Sequence, residues 1–411
     1  MVSDMGRAGE MVQTTLKKWI LLLGLTMSTF GFGDTVLERK VLSDSGSIDC
    51  SKITWVKMFL TQQSNRPFIL VLTYDPGPYL LYSTDGAIGV KEEYGVYVGG
   101  YVKNDQVILG FKKEDNVVFY DVQKEFSRIK SVKIVEEMSR LALGRFIAVP
   151  ELNDEFYVLA QREEFPINPV EFFKDVISGG HGIYYVKPYL AKIEGDEISQ
   201  YRKLRYGGKT DESYAVREVI SGDGMIHFLG FRDGVRRNKE VMMLYYAGYS
   251  TEKKKVVQSY NIFEKEEIGL NHFGSLSMAC KKDDVFIVFR WVVESQESII
   301  SDNIRKSISD IYYLQYCNKT ADKTVQIAKG FQSSVKLDST GKVYIFWLDY
   351  GGNLVCKTKQ GTTWSKDKII LTGIDMLLSG IAAEFDSEDN LHLVYPSKGS
   401  LIYEKRKLSE N

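Results

Sequence analysis

Three arginines follow apolar runs at corresponding places along the chain, and their chemistry suits them to binding an anion. They are Arg162, Arg232 and Arg290. A guanidinium group can hold a carboxylate through two parallel hydrogen bonds, so arginines that converge on one face would bind an acidic group. Arginines at strand ends also form ordinary ion pairs on the surface. The pattern therefore predicts either an acidic-ligand site or a set of structural ion pairs.

Aromatic and histidine side chains near the same predicted loops add a second kind of chemistry. His181 lies in the glycine-rich run 179–182, where it would either contact a ligand or pack within the loop. Trp291, Tyr350 and Tyr395 stand where strands give way to loops, and such rings can stack on a sugar. The sequence has no spacing typical of a metal, phosphate or acyl-transfer site, so no metal or cofactor is expected.

The elements that would carry these residues belong to a repeat. A strand of apolar or aromatic residues that ends in tyrosine, or in cysteine in one copy, recurs seven times. The copies are Leu80–Tyr82, Val118–Tyr120, Tyr184–Tyr185, Leu244–Tyr246, Ile311–Tyr313, Leu354–Cys356 and Leu401–Tyr403. In most copies a turn residue and a β-branched or aromatic run stand upstream, which is typical of a hairpin. We expect the tyrosines to pack between repeats, and His227 and His392 on the upstream strand to lie in the core.

The intervals between repeats predict the fold class. Equivalent upstream positions are closest together from Tyr344 to His392 and farthest apart from Tyr157 to His227. A propeller blade of four antiparallel strands needs about 40–50 residues, which the shortest interval matches, and loop insertions lengthen it. We therefore expect an all-β propeller of seven blades, with six blades as the alternative. The segment 35–41 alternates like a strand and would close the ring by completing the last blade.

The last two repeats resemble a known family. Residues 337–347 lead to the strand 354–359, and Gly361-Thr362-Thr363-Trp364-Ser365 closes the unit. This is similar to the BNR or Asp-box repeat of the sialidase-like propeller superfamily. The glycine and tryptophan of the box are kept, whereas Lys357 and Lys359 stand at its serine and aspartate positions. Ser83-Thr84-Asp85-Gly86 keeps the other half of the box.

The resemblance implies a glycoside hydrolase in which arginines bind a sugar carboxylate, a tyrosine is the nucleophile and an aspartate is the acid. On this chain it implies Arg232 and Arg290, Tyr395 as nucleophile and Asp75 as acid; the sequence singles out no glutamate to pair with the tyrosine. Three functions stay open. They are recognition of a carbohydrate or glycoconjugate on the loops, hydrolysis of one, and a scaffold for a protein partner.

The amino terminus has the order of a secretory signal peptide. Lys17 and Lys18 precede the apolar run 19–27, and Gly31-Phe32-Gly33 offers a cleavage site before Asp34. We expect residues 1–33 to be the signal, with Met11 as an alternative start, and 34–411 to form one domain. The protein would then be secreted or periplasmic, with no membrane span in the mature chain.

The net charge and the cysteine count limit which partners and which disulfides we expect. The formal net charge of −1 removes the electrostatic argument for nucleic acid as a partner. The four cysteines, Cys50, Cys280, Cys317 and Cys356, permit two disulfides in an exported protein. Buried free thiols are the alternative, since Cys356 takes the tyrosine position of its repeat.

Overall fold

The computed structural model describes residues 34–43, 53–73, 80–83, 86–89, 95–114, 116–133, 146–152, 155–164, 185–194, 197–198, 202–204, 213–222, 224–236, 239–266, 273–292, 309–317, 320–375 and 381–409. Every regular element in these ranges is a β-strand, and no described residue is helical. The predicted signal peptide at 1–33 lies outside the described residues.

The strands are numbered along the chain. The amino-terminal strands are β1 (Thr35–Ser43), β2 (Ile53–Leu60), β3 (Pro67–Thr73), β4 (Leu80–Ser83), β5 (Gly86–Gly89), β6 (Val96–Lys103), β7 (Gln106–Lys113), β8 (Asn116–Asp121) and β9 (Ser127–Lys133). The middle strands are β10 (Phe146–Leu152), β11 (Glu155–Glu164), β12 (Tyr185–Glu194), β13 (Glu197–Ile198), β14 (Arg202–Lys203), β15 (Ser213–Gly222), β16 (Met225–Arg236), β17 (Lys239–Ser250) and β18 (Lys255–Glu266). The remaining strands are β19 (Phe273–Lys281), β20 (Asp284–Val292), β21 (Ser309–Cys317), β22 (Thr320–Ala321), β23 (Val325–Lys329), β24 (Phe331–Leu337), β25 (Val343–Leu348), β26 (Leu354–Gln360), β27 (Thr363–Trp364), β28 (Lys368–Leu371), β29 (Ala382–Phe385), β30 (Asn390–Ser397) and β31 (Ser400–Lys407).

Five of the sheets are separate blades of a β-propeller. Their strand orders are β2-β3-β4-β5, β15-β16-β17-β18, β19-β20-β21-β22 with β23 on β21, β24-β25-β26-β27 with β28 on β26, and β29-β30-β31-β1. A further, nine-stranded sheet joins the meander β6–β9 to β10–β12 through the parallel pair of Lys133 and Glu197. The all-β propeller is thus confirmed with five blades, and the count of seven stays a prediction.

The first strand of each blade lies innermost. β15 contacts β19, β19 contacts β24, β24 contacts β29, and β29 contacts β2. Their inner edges need partners for the backbone groups that no further strand pairs. Between β19 and β24 serines fill this need: the backbone N–H of Ser333 donates to Ser275 Oγ at 2.8 Å, and that of Val335 donates to Ser277 Oγ at 3.1 Å.

The second strand of each blade is buried on both faces, which explains its unbroken apolar run. In β25, Ile345 belongs to the cluster that contains Tyr313 of the preceding blade. Phe346, the next residue, belongs to the cluster that contains Leu393 of the following blade. Successive side chains of a strand point to opposite faces, so a blade packed on both sides needs apolar residues at every position.

The recurring tyrosines pack between blades, as the sequence predicts. Tyr246 is fully buried, and its ring centroid lies 4.9 Å from that of Tyr316 in the next blade. Tyr313 meets the edge of Trp364 in the same way, with centroids 5.0 Å apart. Cys356 takes the equivalent place in its blade as a buried free thiol.

Aspartate-capped turns fix the two ends of the blades. Between the first and second strands, Asp386 Oδ1 accepts the backbone N–H of Asn390 at 2.8 Å, and Asp338 Oδ1 accepts that of Lys342 at 2.9 Å. We call this end the turn face. The connections between second and third strands, such as 349–353 and 397–400, lie at the opposite end, which we call the loop face. Asp386 is therefore a turn residue.

Candidate functional site

On the loop face, the structure brings together two of the residues that the sequence singles out. Arg290 lies two residues before the end of β20, and Tyr350 lies in the turn that joins β25 to β26 in the next blade. The Nε atom of Arg290 is buried and has no hydrogen-bond partner among the described residues. Burial lowers the pKa of Arg290, and the nearby Tyr350 phenol acts in the opposite direction. Arg290 is therefore a desolvated cation, and Tyr350 is near enough to act on it electrostatically.

The Tyr350 turn is held rigidly by the side chain of Asp349. Its Oδ1 accepts the backbone N–H groups of Gly351 at 2.8 Å and Asn353 at 2.9 Å. Asn353 Nδ2 donates to the other carboxylate oxygen at 2.9 Å. Tyr350 stays 40% exposed, while its ring meets that of Phe331 edge to face at 4.8 Å. An aromatic side chain that is exposed and fixed in place can stack on a ligand at little cost in conformational entropy.

The other predicted aromatic residues lie in the core. Trp291 is only 4% exposed, and its ring packs 5.1 Å from that of Phe263. Tyr395 is 3% exposed, and its hydroxyl donates to Glu404 Oε2 at 2.9 Å. Burial raises the pKa of Tyr395, and the Glu404 carboxylate raises it further. Glu404 is the glutamate that sequence reasoning did not find, since nothing local marks a pairing across two strands.

Four predicted site residues lie partly or wholly beyond what the structure describes. Asp75 and His181 lie outside the described residues. Arg162 and Arg232 are described through their backbone positions alone: Arg162 pairs with Lys187, and Arg232 pairs with Met243. Their roles stay predictions.

A charged cluster at the centre of the propeller was not predicted. It contains Lys57 of β2, Glu218 of β15, Lys336 of β24 and Glu384 of β29, and we call it the axial cluster. Lys336 and Glu384 form an ion pair. Because β2 and β15 are not neighbours, Lys57 and Glu218 can influence each other only across the space that the first strands enclose.

Burial opposes ionisation in the axial cluster. It lowers the pKa of Lys57 and raises the pKa of Glu218, although each group partly offsets the effect on the other. Lys57 also lies 5.3 Å from the centroid of Phe59 and 5.9 Å from that of Trp55. The pKa of the amine is lowered and that of the carboxyl is raised, so the two values lie closer together than usual. Such a pair can exchange a proton more readily than ordinary groups can. The sequence signal was a charged residue within each of these first strands, seen most clearly at Lys57 among the apolar residues of β2.

The two histidines on second strands are buried, as expected, and bond to the repeat tyrosines. His227 Nδ1 lies 2.8 Å from Tyr246 Oη, and His392 Nδ1 lies 2.9 Å from Tyr403 Oη. His392 Nε2 lies 3.1 Å from Asp386 Oδ2, which Lys405 Nζ also contacts at 2.8 Å. Both histidines are at most 2% exposed. These contacts tie the second and third strands together within a blade.

Within the described ranges, no group of three or more histidine, cysteine or acidic residues could hold a metal ion. Nor does any helix of the described chain have the length and hydropathy needed to cross a membrane.

The fold defines a β-propeller, and comparison with known proteins agrees. No family model matches the chain, and no curated protein matches it. Among solved structures, 257 chains match. The polysaccharide lyase Uly1 is similar with a TM-score of 0.50 and 8% identity, over 86% of this chain and 90% of that one.

Two other solved structures show similar coverage. Hydrazine synthase of Kuenenia stuttgartiensis has a TM-score of 0.49 and 10% identity, over 90% of this chain and all of that one. A PL25 ulvan lyase has a TM-score of 0.46 and 10% identity, over 77% of this chain and 82% of that one. At such identities the likeness concerns the fold alone.

Proposed function

We propose that this chain is an exported β-propeller that recognises an acidic carbohydrate or glycoconjugate on its loop face. The observation that carries the proposal is the exposed ring of Tyr350 in the electrostatic neighbourhood of Arg290. An exposed ring on a rigid turn offers a stacking surface for the C–H face of a sugar. The neighbouring Arg290 side chain is partly exposed, and its guanidinium group can donate charge-assisted hydrogen bonds to a carboxylate or sulfate. The polysaccharide lyase Uly1 has a similar fold, which agrees with a carbohydrate ligand.

The finer architecture we propose is the sialidase-like ring of seven blades, closed by the amino-terminal strand. Contacts support it: β6 lies against β2 and β10, and β10 lies against β15. Counting β6–β9 and β10–β12 as two blades would then give a complete circle. For closure, β1 runs antiparallel to β31 from the pair Thr35–Lys407 to the pair Ser43–Leu401. Export is proposed from the signal-like order of residues 17–33.

A hydrolase is the second candidate, and one contact favours it. The hydrogen bond from Tyr395 to Glu404 is the tyrosine–glutamate pairing that the resemblance requires. Against it, both side chains are buried, and the pKa of the phenol is raised when a nucleophile needs it lowered. Recognition without hydrolysis therefore fits the described residues better.

An array of neutral, carboxylated and sulfated oligosaccharides tests the proposal, together with a panel of fluorogenic glycosides. Residues 34–411 should bind carboxylated or sulfated members and release no fluorophore. Replacement of Tyr350 by alanine should weaken array binding by about tenfold or more. The matched control is Tyr260→Ala, which removes a ring that is 38% exposed on the outer strand β18. Glycoside turnover that Tyr395→Phe abolishes would establish the hydrolase instead. If the chain binds no oligosaccharide on the array and releases no fluorophore, a scaffold for a protein partner is favoured.

A further inference from the structure

A cavity of about 490 Å³ lies at the rim of the propeller, between the outer part of the β24–β28 blade and the segment that follows β31. Its walls include Lys342, Tyr344, Cys356, Lys366, Lys368 and Leu408. This volume is within the roughly 300–1,000 Å³ range of small-molecule sites. We call it the rim pocket; it is separate from the loop face and from the axial cluster.

The rim pocket coincides with the one exception in the tyrosine repeat. Tyr246, Tyr313 and Tyr403 occupy the third-strand position in their blades, and all three are at most 3% exposed. Cys356 occupies that position in the β24–β28 blade and lines the cavity. A thiol fills far less space than a phenol ring, and close-packed interiors do not collapse fully around a smaller side chain. The missing ring therefore contributes to the space in the pocket.

Among the charged residues that line the rim pocket, two lysines have no ion-pair partner within the described residues. Lys368 Nζ pairs with Asp34 Oδ1 at 2.6 Å, and Asp367 Oδ1, also in the wall, pairs with Lys357 Nζ at 2.8 Å. Lys342 and Lys366 make no ion pair with the described residues, and Lys342 Nζ lies 5.4 Å from the Tyr344 ring centroid. The Tyr344 ring, the Cys356 thiol and Leu408 supply apolar surface next to these cations.

We propose that the rim pocket binds a small molecule with an aromatic or alicyclic body and one anionic group. The body occupies the place of the ring that the repeat lacks at Cys356. The anion lies against Lys342 and Lys366, where charge-assisted hydrogen bonds are stronger than neutral ones. This site is independent of carbohydrate recognition at Arg290 and Tyr350.

The probe is 8-anilinonaphthalene-1-sulfonate, which has an aromatic body and one sulfonate, titrated into folded residues 34–411. We expect one saturable site. Lys342→Ala combined with Lys366→Ala should weaken it about tenfold or more, because two charged donors are lost. The matched control, Lys253→Ala, removes an exposed lysine from the turn after β17 and should leave binding unchanged.

One further measurement locates the probe. Cys356→Tyr restores the residue of the other repeats and should abolish the site while oligosaccharide binding persists. The absence of saturable binding, equal binding by the wild type and the double-lysine variant, or unchanged probe binding by Cys356→Tyr would overturn the proposal.

Discussion

Asn65 and Ser387 lie near opposite ends of the sequence and are hydrogen-bonded in the fold. Asn65 Oδ1 accepts from Ser387 Oγ at 2.9 Å and from its backbone N–H at 3.2 Å. The same turn also donates to the β6–β7 hairpin, because the backbone N–H of Gln63 bonds Asp105 Oδ1 at 2.8 Å. Turn-face hairpins of neighbouring sheets are therefore linked, and one link joins the β29–β31 sheet to the β2–β5 sheet.

Replacement of Asp34 by alanine should strongly destabilise the fold. Asp34 is 2% exposed and accepts from Lys368 Nζ at 2.6 Å and from the Ser409 backbone N–H at 2.8 Å. Removal of the carboxylate leaves Lys368 without its counter-charge, although Lys368 Nζ keeps its bonds to Ser409, and breaking a buried pair in this way costs up to about 3–5 kcal/mol. Urea unfolding of the variant measures the loss, and the double variant with Lys368→Met should recover part of it. A loss no larger than that of an ordinary surface substitution would show that this contact does not hold the start of β1 to the segment after β31.

Stability should fall as the solution is acidified, through His392. Burial lowers the pKa of His392, although the bond to Asp386 acts in the opposite direction. The unfolded chain therefore binds a proton more readily than the folded chain. The histidine's full contribution is present above its unfolded pKa of about 6.5, and it is lost as the pH falls from that value through the lower pKa of the folded state.

Unfolding free energies at pH 7.5 and pH 5 test this expectation. Below pH 6.5, the free energy of unfolding of the wild type should fall more steeply than that of His392→Gln, by up to about 1.4 kcal/mol per pH unit. Between pH 7.5 and pH 8.5 the two curves should run parallel. Equal slopes in the acid range would mean that His392 does not carry the effect. Asp386, whose pKa burial would raise but bonds from Lys405, Asn390 and His392 lower, adds its own loss nearer pH 4.

Tyr395→Phe should cost stability and leave carbohydrate binding intact. The Tyr395 hydroxyl donates to a carboxylate that is 1% exposed, so its removal leaves a buried acceptor less satisfied, at a cost of about 1–3 kcal/mol. Thermal unfolding and oligosaccharide titration of the same sample separate the two effects. A variant of unchanged stability that no longer binds would place Tyr395 in the site instead.

The axial cluster should show energetic coupling across the ring. Lys57→Met and Glu218→Gln each remove the opposite charge that acts most strongly on the other group, while Lys336 and Glu384 remain. The double variant should therefore be more stable than the sum of the single losses predicts, by about 1–3 kcal/mol. A double-mutant cycle measured by urea unfolding at pH 7 gives this number. Losses that simply add, as they do for distant and independent sites, would mean that the two side chains do not meet at the axis.

The repeat was predictable because its signals are local. An aspartate or glycine turn followed by a β-branched and aromatic run specifies a hairpin without reference to the rest of the chain. The burial of Tyr246, Tyr313 and Tyr403 follows from recurrence at one strand position, since every blade meets its neighbours in the same way.

The candidate site was less predictable, because it depends on which face of a strand each side chain occupies and on how the sheets are arranged around the propeller axis. Arg290 and Trp291 are consecutive in one strand, so they point to opposite faces, and a one-residue shift would exchange their roles. The sequence placed both on the loops, whereas Trp291 packs in the core. Lys57 and Glu218 are far apart in the chain, and only the arrangement of first strands around the axis brings them within range of each other.

Calorimetric titration with a glucuronate-containing oligosaccharide tests acidic-carbohydrate recognition most directly, with a carboxyl-reduced form of the same oligosaccharide as the comparison. Arg290 and Tyr350 predict saturable binding of the acidic form and binding at least about tenfold weaker for the reduced form, which lacks the charge-assisted hydrogen bond. Tyr350→Ala should weaken the acidic form to a similar degree, and Tyr260→Ala should not. Equal affinity for the two forms, or binding unchanged by Tyr350→Ala, would contradict the account.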